Sequence, residues 1–211
     1  MSHRWMAGCA LALGSLLVAS VGCFGSSQKQ ILPPSINASA AGEEAIKMYD
    51  KNADGKISGD ELDKCPALKS AMAQIDPSGQ GQITAETITA RIKKWQASQA
   101  GLISLRCTVL HNGEPLEGAT VTFVPEKFLG ENVKPGKGKT DQDGVAVVSE
   151  ESTGQSGGRS GIATGFYRVV VTKEGMTIPP QYSSEAESVF GHEAANDAAD
   201  RREGIKFDMK F

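Results

Sequence analysis

Twelve consecutive residues, from Asp50 to Glu61, constrain this chain more than any other stretch. They read D-K-N-A-D-G-K-I-S-G-D-E, so oxygen-bearing side chains recur at alternate positions and a glycine stands sixth. Calcium is a hard cation that takes about six to eight oxygen ligands. A loop this short surrounds the ion only if alternate side chains point inward and the backbone turns sharply at Gly55. The spacing therefore predicts a calcium site.

Every constrained position of the loop carries a suitable donor. The predicted ligands are the side chains of Asp50, Asn52, Asp54, Ser58 and Glu61 and the backbone carbonyl of Lys56. This is the ligand pattern of an EF-hand loop, in which the closing glutamate supplies both carboxylate oxygens. The alternative is a surface turn rich in Asp, Asn and Gly. Because the whole pattern matches, Ca²⁺ is the cofactor that we expect.

A second, weaker loop begins at Asp76. Its candidate ligands are Asp76, Ser78, Gln80 and Gln82. Thr87 stands where a closing glutamate is required, and low ligand charge lowers calcium affinity. We therefore expect this loop to support the first one, with weak calcium binding as the alternative. Paired EF-hand loops are joined by a short β bridge, and the resemblance implies that Ile57 pairs with Ile83.

Helical periodicity surrounds both loops. A helix is predicted from Gly42 into the first loop, and Pro66 rules out one continuous helix between the loops. Ile88, Ile92 and Trp95 form a stripe at helical spacing after the second loop, which is more typical of a core than of a partner groove. With the motif D-E-L-D-K-C-P-A-L-K, this region resembles the compact EF-hand pairs of bacterial exported proteins.

The first residues predict export. Arg4 precedes an uncharged run, Met6 to Gly22, that is thinned by glycine and serine. A transmembrane helix needs about 20 apolar residues, so the run is typical of a cleaved signal peptide. Ser20-Val21-Gly22-Cys23 resembles the lipobox of bacterial lipoproteins, which implies lipidation of Cys23 and a membrane anchor at the cell envelope. Ordinary secretion is the alternative.

Composition limits the remaining choices. A net charge of −3 and a pI near 5.7 argue against a nucleic-acid binder, which needs a basic face. Beyond the leader and Cys23, the cysteines are Cys65 and Cys107. Each falls on an apolar face of a different predicted domain, so we expect two buried thiols, with one disulfide as the alternative.

The pattern changes from helical period to alternation near residue 102. Ile103 to Val109 and Gly204 to Phe211 alternate apolar with polar side chains, as half-buried strands do, and Val145 to Val148 is a further predicted strand after a hairpin turn. Short strands separated by turn residues favour an antiparallel sandwich without helices. We expect Pro125 to Lys139 to be a long loop and Ser183 to Glu203 to be a loose excursion.

A resemblance refines this prediction. The series V-L-H-N-G-E-P-L-E-G-A-T-V-T-F-V-P, K-T-D-Q-D-G-V-A and G-F-Y-R-V-V-V resembles the transthyretin-like fold that includes carboxypeptidase regulatory-like domains. The resemblance implies a non-catalytic accessory or adhesive β module with a protein or glycan partner. Its motifs are turn and strand signals, so they indicate fold and not chemistry.

Three patterns typical of enzymes have simpler explanations. Ser156 fits a nucleophile-elbow expression but lies in a Ser/Gly-rich run. His111 and Glu114, with His192, have the residue types of a zinc site, yet Asn112-Gly113 between them is typical of a hairpin turn. Asp141 and Asp143 lie in a turn context as well. We therefore predict that the chain is not an enzyme.

These observations predict an α+β chain with two domains, a small helical EF-hand pair followed by an antiparallel transthyretin-like β-sandwich. The predicted boundaries are residues 1–23 for a signal peptide with a lipobox-like end, 24–41 for a flexible tether, 42–98 for the EF-hand pair and 102–211 for the sandwich. The expected function is that of an exported calcium-binding lipoprotein in which calcium stabilises a module presenting an interaction domain. The alternatives are a carbohydrate-binding accessory module and a hydrolase.

Overall fold

A computed structural model describes residues 32–150, 161–198 and 204–211. The predicted signal peptide with Cys23, tether residues 24–31 and the run containing Ser156 lie outside these ranges. The first part of the described chain is helical. Its elements are α1 (Ala38–Tyr49), β1 (Ile57–Ser58), α2 (Asp60–Asp63), α3 (Pro66–Ser70), α4 (Met72–Ile75), β2 (Gln82–Ile83) and α5 (Ala85–Ala97). No helix among the described residues combines the length and apolar character needed to cross a membrane.

Helix α1 begins before its predicted start at Gly42. The side chain of Asn37 accepts the N–H of Ala40 at 3.1 Å, which satisfies one of the unpaired donors of the first turn. Ile36 is already buried. Residues 38–41 are therefore helical, and the tether predicted for 24–41 is too long at this end.

The helices pack around the predicted stripe. Ile88, Ile92 and Trp95 are buried, which confirms that this face of α5 belongs to the core. Gly42 lies against α5 so closely that a Cβ there would come within 2.7 Å of Thr89 Oγ1 and would clash with the carbonyl oxygen of Ala85. The α1–α5 contact thus depends on the absence of a side chain at residue 42.

The connector between the loops is divided as Pro66 requires. Pro66 is the first residue of α3, where its missing N–H breaks no helical hydrogen bond. The helical stretch that begins at Pro66 is interrupted at Ala71, whose backbone leaves the helical conformation. The predicted bridge between the loops is confirmed, since Ile57 pairs with Ile83 and Ser58 with Gln82 in antiparallel register.

The second part of the chain forms one curled sheet. Its strands are β3 (Leu105–His111), β4 (Glu114–Pro115), β5 (Thr120–Pro125), β6 (Gly136–Lys139), β7 (Val145–Glu150), β8 (Gly165–Thr172), β9 (Gly191–Ala194) and β10 (Ile205–Met209). Their order is β10-β3-β7-β6-β5-β8-β9, with β4 beside β3. All pairs are antiparallel except β10 with β3, which is parallel.

The predicted α+β class is confirmed, whereas two separate domains with a sandwich are not. The strands follow one hydrogen-bonded path, curled like half a barrel. One hydrophobic core also runs without interruption from the helices into the sheet. Trp95 of α5, for example, contacts Phe166 of β8 with ring centroids 4.5 Å apart. The helices therefore cover part of the sheet.

Three expectations for the second part are wrong. The predicted loop from Pro125 to Lys139 contains a short 3-10 helix, Lys127–Leu129, and strand β6. The predicted loose excursion from Ser183 to Glu203 contains β9, whose G-H-E-A sequence has low strand propensity and is extended because it pairs with β8. A short helix, α6 (Pro180–Ser183), lies where only strands and turns were expected.

The two cysteines lie in different parts of the core, as predicted. Cys65 precedes α3 and Cys107 lies on β3, and both are buried free thiols. Burial raises the pKa of the Cys107 thiol to about 12 and that of Cys65 well above its ordinary value. Neither thiol has the thiolate character of a reactive cysteine.

The contact of α3 with β9 predicts the effect of one substitution. A Cβ on Gly191 would clash with backbone atoms of Pro66 and Ala67, which have no rotamer to change. We expect Gly191→Ala to lower the free energy of unfolding by about 1–3 kcal/mol through overpacking, as measured by urea denaturation. Gly165→Ala on β8 is the matched control, because its Cβ would meet the Tyr167 ring at 3.1 Å, a distance that a small shift relieves. Equal stability of the two variants would contradict the prediction.

Candidate metal site

The loop from Asp50 to Glu61 is shaped by hydrogen bonds from its own backbone. The Asp50 carboxylate accepts the N–H of Gly55 at 2.8 Å and that of Asp54 at 3.3 Å. Gly55 has a φ of +81°, a conformation that residues with a Cβ rarely adopt. The first predicted ligand and the predicted glycine turn are thus joined directly.

The next two predicted ligands follow the same arrangement. Asn52 Oδ1 accepts the N–H of Asp54 at 2.9 Å, and Asp54 Oδ1 accepts the N–H of Lys56 at 3.0 Å. Each of these side-chain oxygens therefore bonds to the backbone of its own loop. Such local bonds are typical of Asp and Asn in turns and need no tertiary contact.

Glu61 closes the loop. Its Oε1 accepts the N–H of Lys51 at 2.8 Å and that of Asn52 at 3.3 Å, while Oε2 accepts the N–H of Ser58 at 3.1 Å. These hydrogen bonds, that from Lys51 foremost, hold the pKa of the Glu61 carboxyl below its usual range. The carboxylate is therefore ionised at neutral pH and spans both ends of the loop.

The remaining two predicted ligands connect the first loop to the second. Ser58 lies on β1 opposite Gln82. The Lys56 ammonium donates to Gln82 Oε1 at 2.7 Å. All six predicted ligands therefore belong to one structured loop that is fastened to its neighbour.

The donor set fits a hard cation, although the carboxylates do not converge on a single point. Among the residues that the structure describes, no three His, Cys, Asp or Glu side chains are grouped as a metal site. Three of the six predicted donors are an amide, a hydroxyl and a backbone carbonyl, as calcium loops commonly use. Asp50, Asn52, Asp54, Ser58 and Glu61, with the Lys56 carbonyl, would hold the ion, which would supply positive charge among these oxygens.

The second loop uses its polar groups internally. Asp76 accepts the Ser78 hydroxyl and the N–H of Gly81, the latter at 2.7 Å, and the Ser78 hydroxyl in particular lowers the pKa of Asp76. Gln82 is engaged by Lys56. Gln80 is exposed, with no carboxylate to offer.

Thr87 serves the helix instead of this second loop. Its hydroxyl accepts the N–H of Thr84 at 3.0 Å and donates to the Thr84 carbonyl at 2.9 Å, while the Thr84 side chain accepts the N–H of Thr87. This capping box starts α5. Thr87 therefore occupies the position equivalent to Glu61, which closes the first loop, but in the second loop it caps helix α5.

Two of the three enzyme-like patterns have structural explanations, while the run containing Ser156 lies outside the described residues. Asn112 and Gly113 both have positive φ, as a tight hairpin between β3 and β4 requires. Asp141 accepts the N–H groups of Asp143 and Val145 at 3.0 and 2.9 Å, so it shapes its turn as predicted. His192 is buried on β9, away from the hairpin that holds His111.

Two buried ionic clusters at the junction of helices and sheet were missed by the sequence analysis. In the first, the α5 residue Arg91 donates through Nε to Glu193 of β9 and pairs with both carboxylate oxygens of Asp197, at 3.0 and 2.7 Å. Trp95 Nε1 also donates to Glu193, at 2.9 Å. The available signal was a cation at residue 91 inside the apolar stripe of α5.

The second cluster lies beside the loop from Asp50 to Glu61. Tyr49 donates its hydroxyl to Glu126 Oε2 at 2.7 Å, and Arg168 Nη2 lies 3.5 Å from Glu126 Oε1. Arg168 also donates to the Lys64 carbonyl at 2.6 Å. These residues line a cleft of about 910 Å³ between the helices and the sheet. The residues of this second cluster are far apart in sequence, so no spacing pattern in the sequence predicts it.

Comparisons with protein-family models, with curated proteins and with solved structures found no match. The likenesses to EF-hand pairs and to the transthyretin-like fold therefore depend on the residues and motifs of this chain alone.

The first buried cluster makes stability depend on pH. Arg91 holds the pKa of the Asp197 carboxyl well below its ordinary value, with a smaller contribution from Lys94. The folded-state pKa of Asp197 lies below the unfolded value of about 4. The stabilisation of the folded state by the ionised Asp197 is therefore present above pH 4 and is lost as pH falls through the folded-state pKa. We expect Asp197→Asn to be less stable than the wild type at pH 7 and to lose less stability between about pH 4 and pH 2.

Urea denaturation across this pH range is the measurement. Glu193 provides a contrast, because burial raises the pKa of its carboxyl. Ionisation of Glu193 therefore lowers the free energy of unfolding, whereas ionisation of Asp197 raises it. Parallel pH profiles for the wild type and Asp197→Asn would contradict the prediction.

Proposed function

We propose that this chain is a non-catalytic calcium-binding protein with one site, the loop from Asp50 to Glu61. The observation that carries the proposal is the orientation of its oxygen donors. Asp50, Asn52, Asp54 and Glu61 are all held by N–H groups of their own loop. An ion bound among these donors would offset the mutual repulsion of three carboxylates in one short loop.

Calcium in this position would stabilise the helical region. Asp50 follows α1 directly and Glu61 lies in α2, so the predicted ligands join two helices that are otherwise connected through a short exposed loop. Modules of exported proteins face abundant calcium and typically bind it with dissociation constants of about 10⁻⁴ to 10⁻³ M. A structural ion is therefore favoured over a signalling switch.

We extend the proposal to the cellular context through the sequence. The leader and Cys23 would place the protein at the cell envelope as a lipoprotein. The sheet, with its transthyretin-like motifs, would act as the interaction module for a protein or glycan, behind an EF-hand pair that calcium stabilises. No observation favours the carbohydrate-binding alternative, since Phe211 is the one aromatic residue among the exposed large hydrophobics of the described chain.

Calorimetric calcium titration of the leaderless protein tests the proposal. We expect one ion per chain, and a gain in unfolding free energy of about 2.7 kcal/mol when free calcium exceeds the dissociation constant a hundredfold. Glu61→Gln should lose both effects, because it removes the charge that closes the loop. Asp76→Asn in the second loop is the matched control and should keep the stoichiometry.

Two results would contradict the proposal. One is a wild-type protein that shows no heat of binding and the same melting temperature in calcium and in chelator. The other is a Glu61→Gln protein that binds as the wild type does, which would move the site away from the first loop.

A further inference from the structure

Both flanks of the calcium loop are fastened to one ion pair on the sheet. The pair consists of Glu126, directly after β5, and Arg168 on β8. Their side chains are 4% and 12% exposed. A charge pair so little exposed is weakly screened by solvent and salt, so its position matters for whatever it contacts.

The first connection runs through Tyr49, the residue immediately before the first predicted ligand. Its hydroxyl donates to Glu126 Oε2 at 2.7 Å, and its ring packs edge-on against Phe128 with centroids 6.4 Å apart. Asp50 is tied to the same helix end, because its N–H donates to the Ile46 carbonyl at 2.8 Å. The position of Asp50 therefore follows that of Tyr49.

The second connection runs through Lys64, which follows the closing Glu61. Arg168 Nη2 donates to the Lys64 carbonyl at 2.6 Å. The Lys64 N–H in turn donates to the Glu61 carbonyl at 3.1 Å. Arg168 thus reaches the backbone of the last predicted ligand through one residue.

We propose that Glu126 and Arg168 are positioning residues for the calcium loop, holding the start and the end of the loop at the separation that the ion requires. This inference rests on the proposed calcium function. It assigns a role in metal affinity to two residues of the sheet that touch no predicted ligand side chain.

Calcium affinity of three variants tests the proposal, measured by titration of the leaderless protein. Tyr49→Phe removes the hydroxyl and keeps the ring, whereas Arg168→Met removes both the bond to Lys64 and the ion pair with Glu126. Tyr49→Phe should raise the calcium dissociation constant about three- to tenfold, the effect of losing one hydrogen bond, and Arg168→Met should raise it at least as much. Glu193→Gln is the matched control, because it perturbs the other buried ionic cluster, which contacts neither flank of the loop.

A second readout follows the loop flank directly. Cys65 is next to Lys64 and is fully buried, so its alkylation requires local opening. Calcium should slow labelling of Cys65 in the wild type and should slow it less in Arg168→Met. Labelling of Cys107, in the sheet core, should respond equally to calcium in both proteins.

The outcomes separate the two proposals. A wild-type protein that binds no calcium overturns the proposed function, and this inference with it. A wild-type protein that binds calcium while Tyr49→Phe and Arg168→Met stay within about twofold of its affinity overturns only the inference. Equal weakening in Glu193→Gln also overturns it, because the effect would then come from general loosening between helices and sheet.

Discussion

Buried charge at the junction of helices and sheet is the constraint on which the rest of the structure depends. Arg91 is enclosed with Glu193 and Arg168 with Glu126, while the exposed Asp197 pairs with Arg91 from the rim. Taking such groups out of water is costly, and removing one partner typically destabilises a protein by about 3–5 kcal/mol because the other is left uncompensated. The ion pairs add specific partners to the apolar packing between helices and sheet.

The loop from Asp50 to Glu61 contrasts with this junction because its shape is determined by hydrogen bonds between neighbouring residues. The hydrogen bonds from its backbone N–H groups to its own side chains join residues at most ten positions apart. Its longer contacts, from Lys56 to Gln82 and from Ile57 to Ile83, only connect it to the second loop. The junction joins residues more than seventy positions apart. The loop can therefore keep the shape that its own hydrogen bonds determine, while its contacts with the sheet set the distance between its two ends.

The same contrast explains what the sequence could predict. The Ile57–Ile83 bridge, the Asn112-Gly113 turn and the buried stripe of α5 follow from neighbouring residues and were predicted correctly. Calcium ligation by the loop from Asp50 to Glu61 stays a prediction. Strand β9 was missed because its residues have little strand preference and are ordered by β8 and α3. The parallel pairing of β10 with β3, and the single core shared by helices and sheet, are likewise set by distant partners.

The two buried thiols have a consequence for handling the protein. In the folded chain Cys65 and Cys107 are shielded, and burial disfavours their thiolates, so dissolved oxygen and disulfide-exchange partners have little access to them. Unfolding removes both protections at once. A chain that unfolds in an oxidising medium is therefore exposed to wrong intramolecular or intermolecular disulfides, which would trap it and make heat denaturation irreversible unless a reductant is present.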